Sequence, residues 1–97
     1  MAWVQIQKAQ EMGWAAYEQV ARAVGVDENP PDGLIIHAAG EENGKWLSVD
    51  VWESEADYQR FREERLMPAV RQVMGDEMAD AGPPPQESFE AKHVVKP

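Results

Sequence analysis

Apolar and polar residues alternate through residues 2–8, AWVQIQK, so an extended chain there puts Val4 and Ile6 on one side and Trp3, Gln5 and Gln7 on the other. The period then changes. Over residues 10–24, Tyr17, Val20, Ala21 and Val24 follow the three-four-three spacing of a helix face, and Gly25 suits a left-handed stop. The stretch VDENPPDG breaks regular structure with Pro-Pro and Asp-Gly. Alternation returns in LIIHAA (residues 34–39) and in KWLSVDVWE (residues 45–53), and the Asn-Gly of EENG between them is a hairpin signal.

Ser54 stands where a helix N-cap belongs, and Asp57 where a capping box places its acid. Tyr58, Phe61, Ala69, Val70, Val73 and Met74 carry the apolar face of the helix that follows. Pro68 forbids one straight helix, since it removes a backbone donor and clashes with the preceding turn. A break near Leu66 and a short second helix ending at Gly75 are expected. Residues 76–87, which include GPPP, read as an irregular crossing, and SFEAKHVV as a fourth strand. The order β-α-β-β-α-β predicts an α+β, ferredoxin-like sandwich, one four-stranded antiparallel sheet with helices on one face, forming a single domain over residues 1–97.

Sorting the strand residues by parity gives two unlike faces. One collects Val4, Ile6, Leu34, Ile36, Ala38, Leu47, Val49, Val51 and Val94, with Glu90 and Lys92 at its edge. The other collects Trp3, Gln5, Gln7, Ile35, His37, Trp46, Ser48, Asp50, Trp52, Phe89, Ala91 and His93. A sheet covered on one side should be apolar toward its helices and polar outward. Here neither face is a plain wet surface: one would leave aromatic rings in water and the other a large aliphatic patch. Both are expected to be covered, one by helices and one by a second copy of the chain.

Composition narrows the function classes. With 18 Asp and Glu against 9 Lys and Arg, the net charge is −9, which argues against nucleic acid and anionic membranes as partners. The chain has no cysteine, hence no disulfide framework, thiol nucleophile or cysteine metal site. No segment reads as a signal peptide or a membrane span, so a cytoplasmic protein is expected. No phosphate-binding loop, dinucleotide fingerprint or nucleophile elbow is present, and no resident cofactor is expected. Four Trp in 97 residues point to aromatic cores and ligand surfaces.

The stretch VWESEADYQRF resembles the strand-to-helix corner of the dimeric α/β-barrel, antibiotic-biosynthesis-monooxygenase-like (ABM-like) proteins, in which a V-W-x-S-x-x-x-[FY] pattern recurs. Val51, Trp52, Ser54 and Tyr58 fill it. The resemblance implies a homodimer in which two sheets pack face to face. The aliphatic faces would form the barrel interior, and the Trp-bearing face would line a cleft within each subunit. The family spans oxygenases, haem-degrading enzymes and cyclases, so the resemblance speaks to fold more than to reaction. The cofactor-independent oxygenases line that cleft with the Trp matching Trp52 and use an Asn from the first strand, where this chain offers Gln5 or Gln7. Haem-degrading members carry a helix His that the segment Leu66–Met74 lacks.

Within the cleft, His37 and Asp50 share parity on neighbouring strands, where cross-strand neighbours come within ~5–8 Å. A carboxylate beside an imidazole makes a general base near neutral pH. The same pair also reads as two buried polar groups that satisfy each other. Trp52 and Trp3 would hold a planar substrate, Gln5 would bond a developing oxyanion, and His93 sits toward the rim. Tyr58 and Phe61 read as core, and Tyr58 also as part of the substrate wall. His37, His93 and Asp50 match no metal-ligand spacing, so no metal is expected. Arg60, Arg62 and Arg65 read as a solvated helix face. The expected function is a small cofactor-independent, monooxygenase-like enzyme acting on an aromatic or polyketide-like metabolite. The alternatives are a proton-transfer cyclase or isomerase, or a non-catalytic ligand-binding or stress-associated dimer.

Overall fold

The computed structural model describes residues 2–81 and 86–97, without the side chains of residues 10–12. Among them the strands β1 (Trp3–Gly13), β2 (Leu34–Glu42), β3 (Lys45–Trp52) and β4 (Gln86–Glu90) form one antiparallel sheet in the order β2-β3-β1-β4. Helices α1 (Trp14–Val24), α2 (Glu55–Phe61), α3 (Met67–Met74) and α4 (Asp76–Asp80) complete the fold. This is the expected α+β, ferredoxin-like arrangement. No helix among the described residues is long and apolar enough to cross a membrane.

Local chemistry accounts for most of the boundaries. Asn43 (φ 53) and Gly44 (φ 79) both take positive φ, the geometry of the tight turn that matches strand twist, and they join β2 to β3. Gly25 closes α1, its N–H donating to the Ala21 carbonyl at 3.0 Å. Ser54 caps α2: its Oγ accepts from the Asp57 N–H at 3.2 Å and donates to Asp57 Oδ2 at 3.0 Å. The acid thus closes the cap through the hydroxyl rather than through the Ser54 backbone N–H.

The break expected at Pro68 takes a specific form. A π-helical turn, Arg62–Leu66, joins α2 to α3, and the Met67 N–H donates to the Arg62 carbonyl. In such a turn residues five apart lie nearer the same side of the helix than in an α-helix, which separates them by about 140°. Phe61 and Leu66, and Arg62 and Met67, therefore fall on one side. All four face the sheet side.

Four expectations are corrected. The first strand runs to Gly13, so α1 starts at Trp14 and not at residue 10; the β1–β3 ladder is irregular between Lys8 and Gly13 and resumes at Gly13↔Lys45. Part of the segment expected to be irregular is the short helix α4, with Asp76 and Glu77 in its first turn where the helix dipole favours acids. Arg71 of α3 holds it through Asp76 at 3.0 Å and Asp80 at 2.9 Å. The prolines at 83–85 lie outside the described residues.

The third correction is in β4, which is Gln86–Glu90 rather than residues 88–95, and whose register reverses the expected parity. Trp3 pairs with Glu90 and Val4 with Phe89, so Phe89 joins the aliphatic face and Glu90 the other. One residue of register exchanges every side chain between faces. The fourth is Leu34. The ladder between β2 and β3 shifts between Leu34 and Ile36, and this bulge turns Leu34 to the helix side, opposite Trp52.

The core lies between the sheet and the helices. Trp3, Trp52 and Tyr58 form its centre, with Leu34 and Phe61 packed against them. The Tyr58 ring stands 5.3 Å from that of Trp3 and 5.6 Å from that of Trp52. Trp52 is only 1% exposed, and truncating a ring so buried costs about 3–5 kcal/mol. On the opposite face Ile36 (58% exposed), Val49 and Phe89 (54%) are open in the single chain.

Candidate functional site

Strand β3 supplies the floor of the site. Its alternate residues Trp46, Ser48, Asp50 and Trp52 all point toward the helices and line a cavity of about 170 Å³. That is of the order of a cavity that takes one aromatic ring. The helices provide an apolar roof, including Val20, Val24, Phe61, Leu66, Met67 and Val70. Polar groups enter from few places: Gln7, Ser48 and Asp50 from the sheet, His37 from β2, Tyr17 from α1 and Arg62 from the π turn.

The expected pair is present. Cross-strand register sets His37 directly opposite Asp50, and His37 Nδ1 is hydrogen-bonded to Asp50 Oδ1. The second carboxylate oxygen accepts a long hydrogen bond, 3.4 Å, from the Trp52 indole N–H two residues along the same strand. Asp50 is thus held from two sides, and it holds the His37 ring in turn.

The other ring nitrogen of His37 meets Tyr17. Its Nε2 lies 2.6 Å from the Tyr17 hydroxyl, completing a chain from Asp50 through His37 to Tyr17. With a neutral ring, Nδ1–H donates to Asp50 and Nε2 accepts from the phenol; with an imidazolium, Nε2–H donates to the phenol oxygen. Tyr17 is fixed by stacking, its ring centroid 5.0 Å from Trp14 and 5.3 Å from Trp46.

The electrostatics suit proton movement. The Asp50 hydrogen bond raises the His37 pKa above 6.5, against the opposing pull of burial, with the Asp50 and Asp27 charges adding to the rise. Burial, then the charges of Asp50 and Asp27, pushes the Tyr17 phenol up to about 12. Tyr17 is therefore a phenol throughout the neutral range and can pass a proton without standing as a phenolate. Among the described residues no group of three His, Asp or Glu side chains is placed to hold a metal ion.

The remaining sequence candidates separate. Trp52 and Tyr58 line the cavity. Trp3 is buried in the core behind them and is not among the lining residues. Gln5 is 1% exposed, donates to Gln86 Oε1 at 2.7 Å, and is likewise set back from the cavity, where Gln7 takes the place expected of it. His93 is exposed, lies beyond the end of β4 and does not reach the site. The residues of 91–97 are in no strand, so parity counted along the chain had no ladder to act on.

Two lining residues were not singled out. Tyr17 read as one position of an apolar helix stripe; the signal was its hydroxyl, which must find a partner when the ring is buried. Arg62 read as part of a solvated helix face, but it stands one helical turn after Tyr58 and lines the cavity with it. Its neighbours behave otherwise: Arg60 pairs with Asp57 at 2.9 Å, and Arg65 donates to the Val24 carbonyl at 3.0 Å and covers the Phe61 ring.

No protein-family model and no curated protein sequence matches the chain. Solved structures do. A protein from Chloroflexus aurantiacus, provisionally named an antibiotic biosynthesis monooxygenase, is 8% identical over 99% of this chain and 98% of its own, with a TM-score of 0.65. A variant of SnoaB, a cofactor-independent oxygenase from Streptomyces nogalater, is 13% identical over 97% of this chain and 94% of its own, with a TM-score of 0.56. A protein of unknown function from Nitrosomonas europaea is 20% identical over 99% of this chain and 91% of its own, with a TM-score of 0.59. The chain has the fold of the ABM-like structures along nearly its whole length.

Proposed function

We propose that the chain is a small enzyme, monooxygenase-like and without a resident cofactor, that removes an acidic proton from a planar aromatic or polyketide-like metabolite. One observation carries the reading: a hydrogen-bonded chain, Asp50–His37–Tyr17, opens on an otherwise largely apolar cavity lined by aromatic rings. An imidazole with a carboxylate on one nitrogen and a phenol on the other, at the edge of an apolar cavity, is a proton relay in its geometry. SnoaB's chemistry on a similar fold adds support.

In the proposed step the substrate's C–H or O–H proton moves to the Tyr17 oxygen as the Tyr17 proton moves to His37 Nε2. The products are a substrate anion and an imidazolium paired with Asp50. In the oxygenase outcome dioxygen is the co-reactant. It adds at the carbanion carbon, the relay returns a proton to give a hydroperoxide, and loss of water leaves a carbonyl: a CH₂ and O₂ become C=O and H₂O. In the cyclase or isomerase outcome the relay returns the proton to a different atom and nothing is oxidised.

The aliphatic face fits a homodimer interface. Ile36, Val49 and Phe89 are exposed together on one side of the sheet, and contiguous apolar surface of this kind marks interaction sites. The ligand-binding alternative keeps the same cavity without the chemistry.

The test is deuterium exchange and dioxygen uptake with aryl 1,3-diketones and planar phenols. The wild-type chain should speed exchange of the acidic hydrogen, and Tyr17→Phe and His37→Gln should abolish the acceleration. Bound compounds that exchange no faster than in buffer would sink the enzyme reading and leave the binding one. Dioxygen uptake separates the oxygenase outcome from the isomerase outcome.

A further inference from the structure

Of the five arginines in the chain, four have partners. Arg22 pairs with Glu18, Arg60 with Asp57 and Arg71 with Asp76 and Asp80, while Arg65 donates to the Val24 carbonyl. Arg62 is the exception among the described residues: it has no carboxylate within ion-pair distance and no hydrogen-bond partner. Yet it is half-buried and lines the cavity. A guanidinium beside apolar walls gains most from a planar anionic oxygen group that accepts its hydrogen bonds in pairs. Among the described residues the other charged groups of the lining, His37 and Asp50, are bonded to each other.

The local backbone makes this placement. The Arg62 N–H donates to the Tyr58 carbonyl, so Arg62 stands one α-helical turn after Tyr58 on the cavity side, and the π turn that begins there, with Met67 donating to the Arg62 carbonyl, keeps Met67 on that side too. Turns of this type recur at functional sites. Arg62 belongs to the helical layer, and the Asp50–His37 pair to the sheet. A ligand lying between the layers would contact both.

We infer that Arg62 is the specificity-determining residue of the cavity, and that the ligand is a planar ring compound bearing an anionic oxygen group, a carboxylate or a delocalised enolate, held at Arg62. The inference rests on the reading of the cavity as a ring-binding site. It adds a charge requirement that the apolar walls alone do not impose. The ring lies among Trp46, Trp52, Tyr58 and Phe61, with the acid group on the helix side and the reacting position toward Tyr17.

A matched pair of probes separates charge from ring. β-Naphthoate and β-naphthamide differ in the charge of one substituent, and the indole N–H signals of Trp46 and Trp52 report occupancy of the cavity itself. In the wild-type chain the naphthoate should bind about ten-fold tighter than the amide, as charge-assisted pairs exceed neutral ones. Arg62→Gln should weaken naphthoate binding far more than amide binding and so remove that preference, and Arg62→Lys should restore part of it. Equal affinity for the two probes in the wild type, or a preference that survives Arg62→Gln, would overturn the charge assignment while leaving the ring site standing. If neither probe moves the indole signals of the folded chain, the ring-binding reading fails and the Arg62 assignment fails with it.

Discussion

The Tyr17 hydroxyl lies 2.6 Å from Nε2 of His37, on a ring whose other nitrogen is bonded to Asp50. Both nitrogens of the imidazole are therefore occupied by the protein. In the proposed step a substrate in the cavity would exchange its proton with the phenol oxygen, and His37 would act through it. Tyr17→Phe keeps the ring and its stacking but cuts the chain. Substrate-dependent exchange should fall by about 10²–10⁴-fold, the usual share of general acid–base catalysis, while stability changes by about 1 kcal/mol. Single-turnover exchange with parallel thermal melts checks both.

Asp50→Asn should lower the His37 pKa, since the Asp50 hydrogen bond is the largest cause of its rise above 6.5. The sign for stability follows. Because the folded value exceeds the unfolded one, the protonated pair stabilises the fold fully below the unfolded value, and that contribution is lost as pH rises through the folded pKa. Activity through neutral His37 runs the opposite way, rising with pH across the same range. Imidazole proton shifts in NMR should give a lower midpoint in Asp50→Asn, and the activity profile should move with it. A midpoint that stays in place would contradict the relay.

Ser54→Ala removes the acceptor for the Asp57 N–H at the start of α2. The expected cost is about 1 kcal/mol, or a melting temperature lower by about 4–8 °C for a domain of this size. Calorimetry checks it. Activity should be retained, since the cap lies away from the cavity.

Gly33→Ala should cost more. Gly33 has φ +88, and a Cβ there would lie 2.5 Å from Asp57 Cγ. Its carbonyl also accepts from the Glu53 N–H at 2.7 Å. Backbone strain of about 1–3 kcal/mol adds to displacement of Asp57 and its Ser54 and Arg60 contacts. Urea denaturation should place this variant well below Ser54→Ala.

For the aliphatic face, sedimentation should find the wild-type chain at twice its monomer mass. Ile36→Asp combined with Phe89→Asp should yield monomers, since both side chains are exposed on that face in the single chain. A wild-type monomer at micromolar concentration would remove the dimer.

Parity made much of the site legible. Trp46, Ser48, Asp50 and Trp52 alternate along one strand, and the Asn-Gly turn fixed the hairpin that sets His37 opposite Asp50. What parity cannot give is the join between layers. Tyr17 reaches His37 because α1 docks across the sheet, a contact between residues 20 apart in sequence that no strand period encodes. Nor does alternation survive a ladder irregularity. The bulge near Leu34 and the register of β4 each moved residues between faces, taking Leu34 inward and Phe89 outward. Arg62 was missed for a third reason: it falls one α-helical turn after Tyr58 and on the same side, but its charge and its acidic neighbours Glu63 and Glu64 made it read as solvated.

Strand β3 serves both sides of the sheet with successive residues, Ser48 and Asp50 to the cavity, Val49 and Val51 away from it. The two sets of side chains can therefore change separately. Substitutions at Val49 and Val51 change the outer face while the Asp50–His37–Tyr17 hydrogen bonds are untouched, and changes at Ser48 reshape the cavity without altering the outer face. Length is different. Deleting one residue of β3 would exchange both sets at once, so this strand is open to substitution and closed to insertion or deletion.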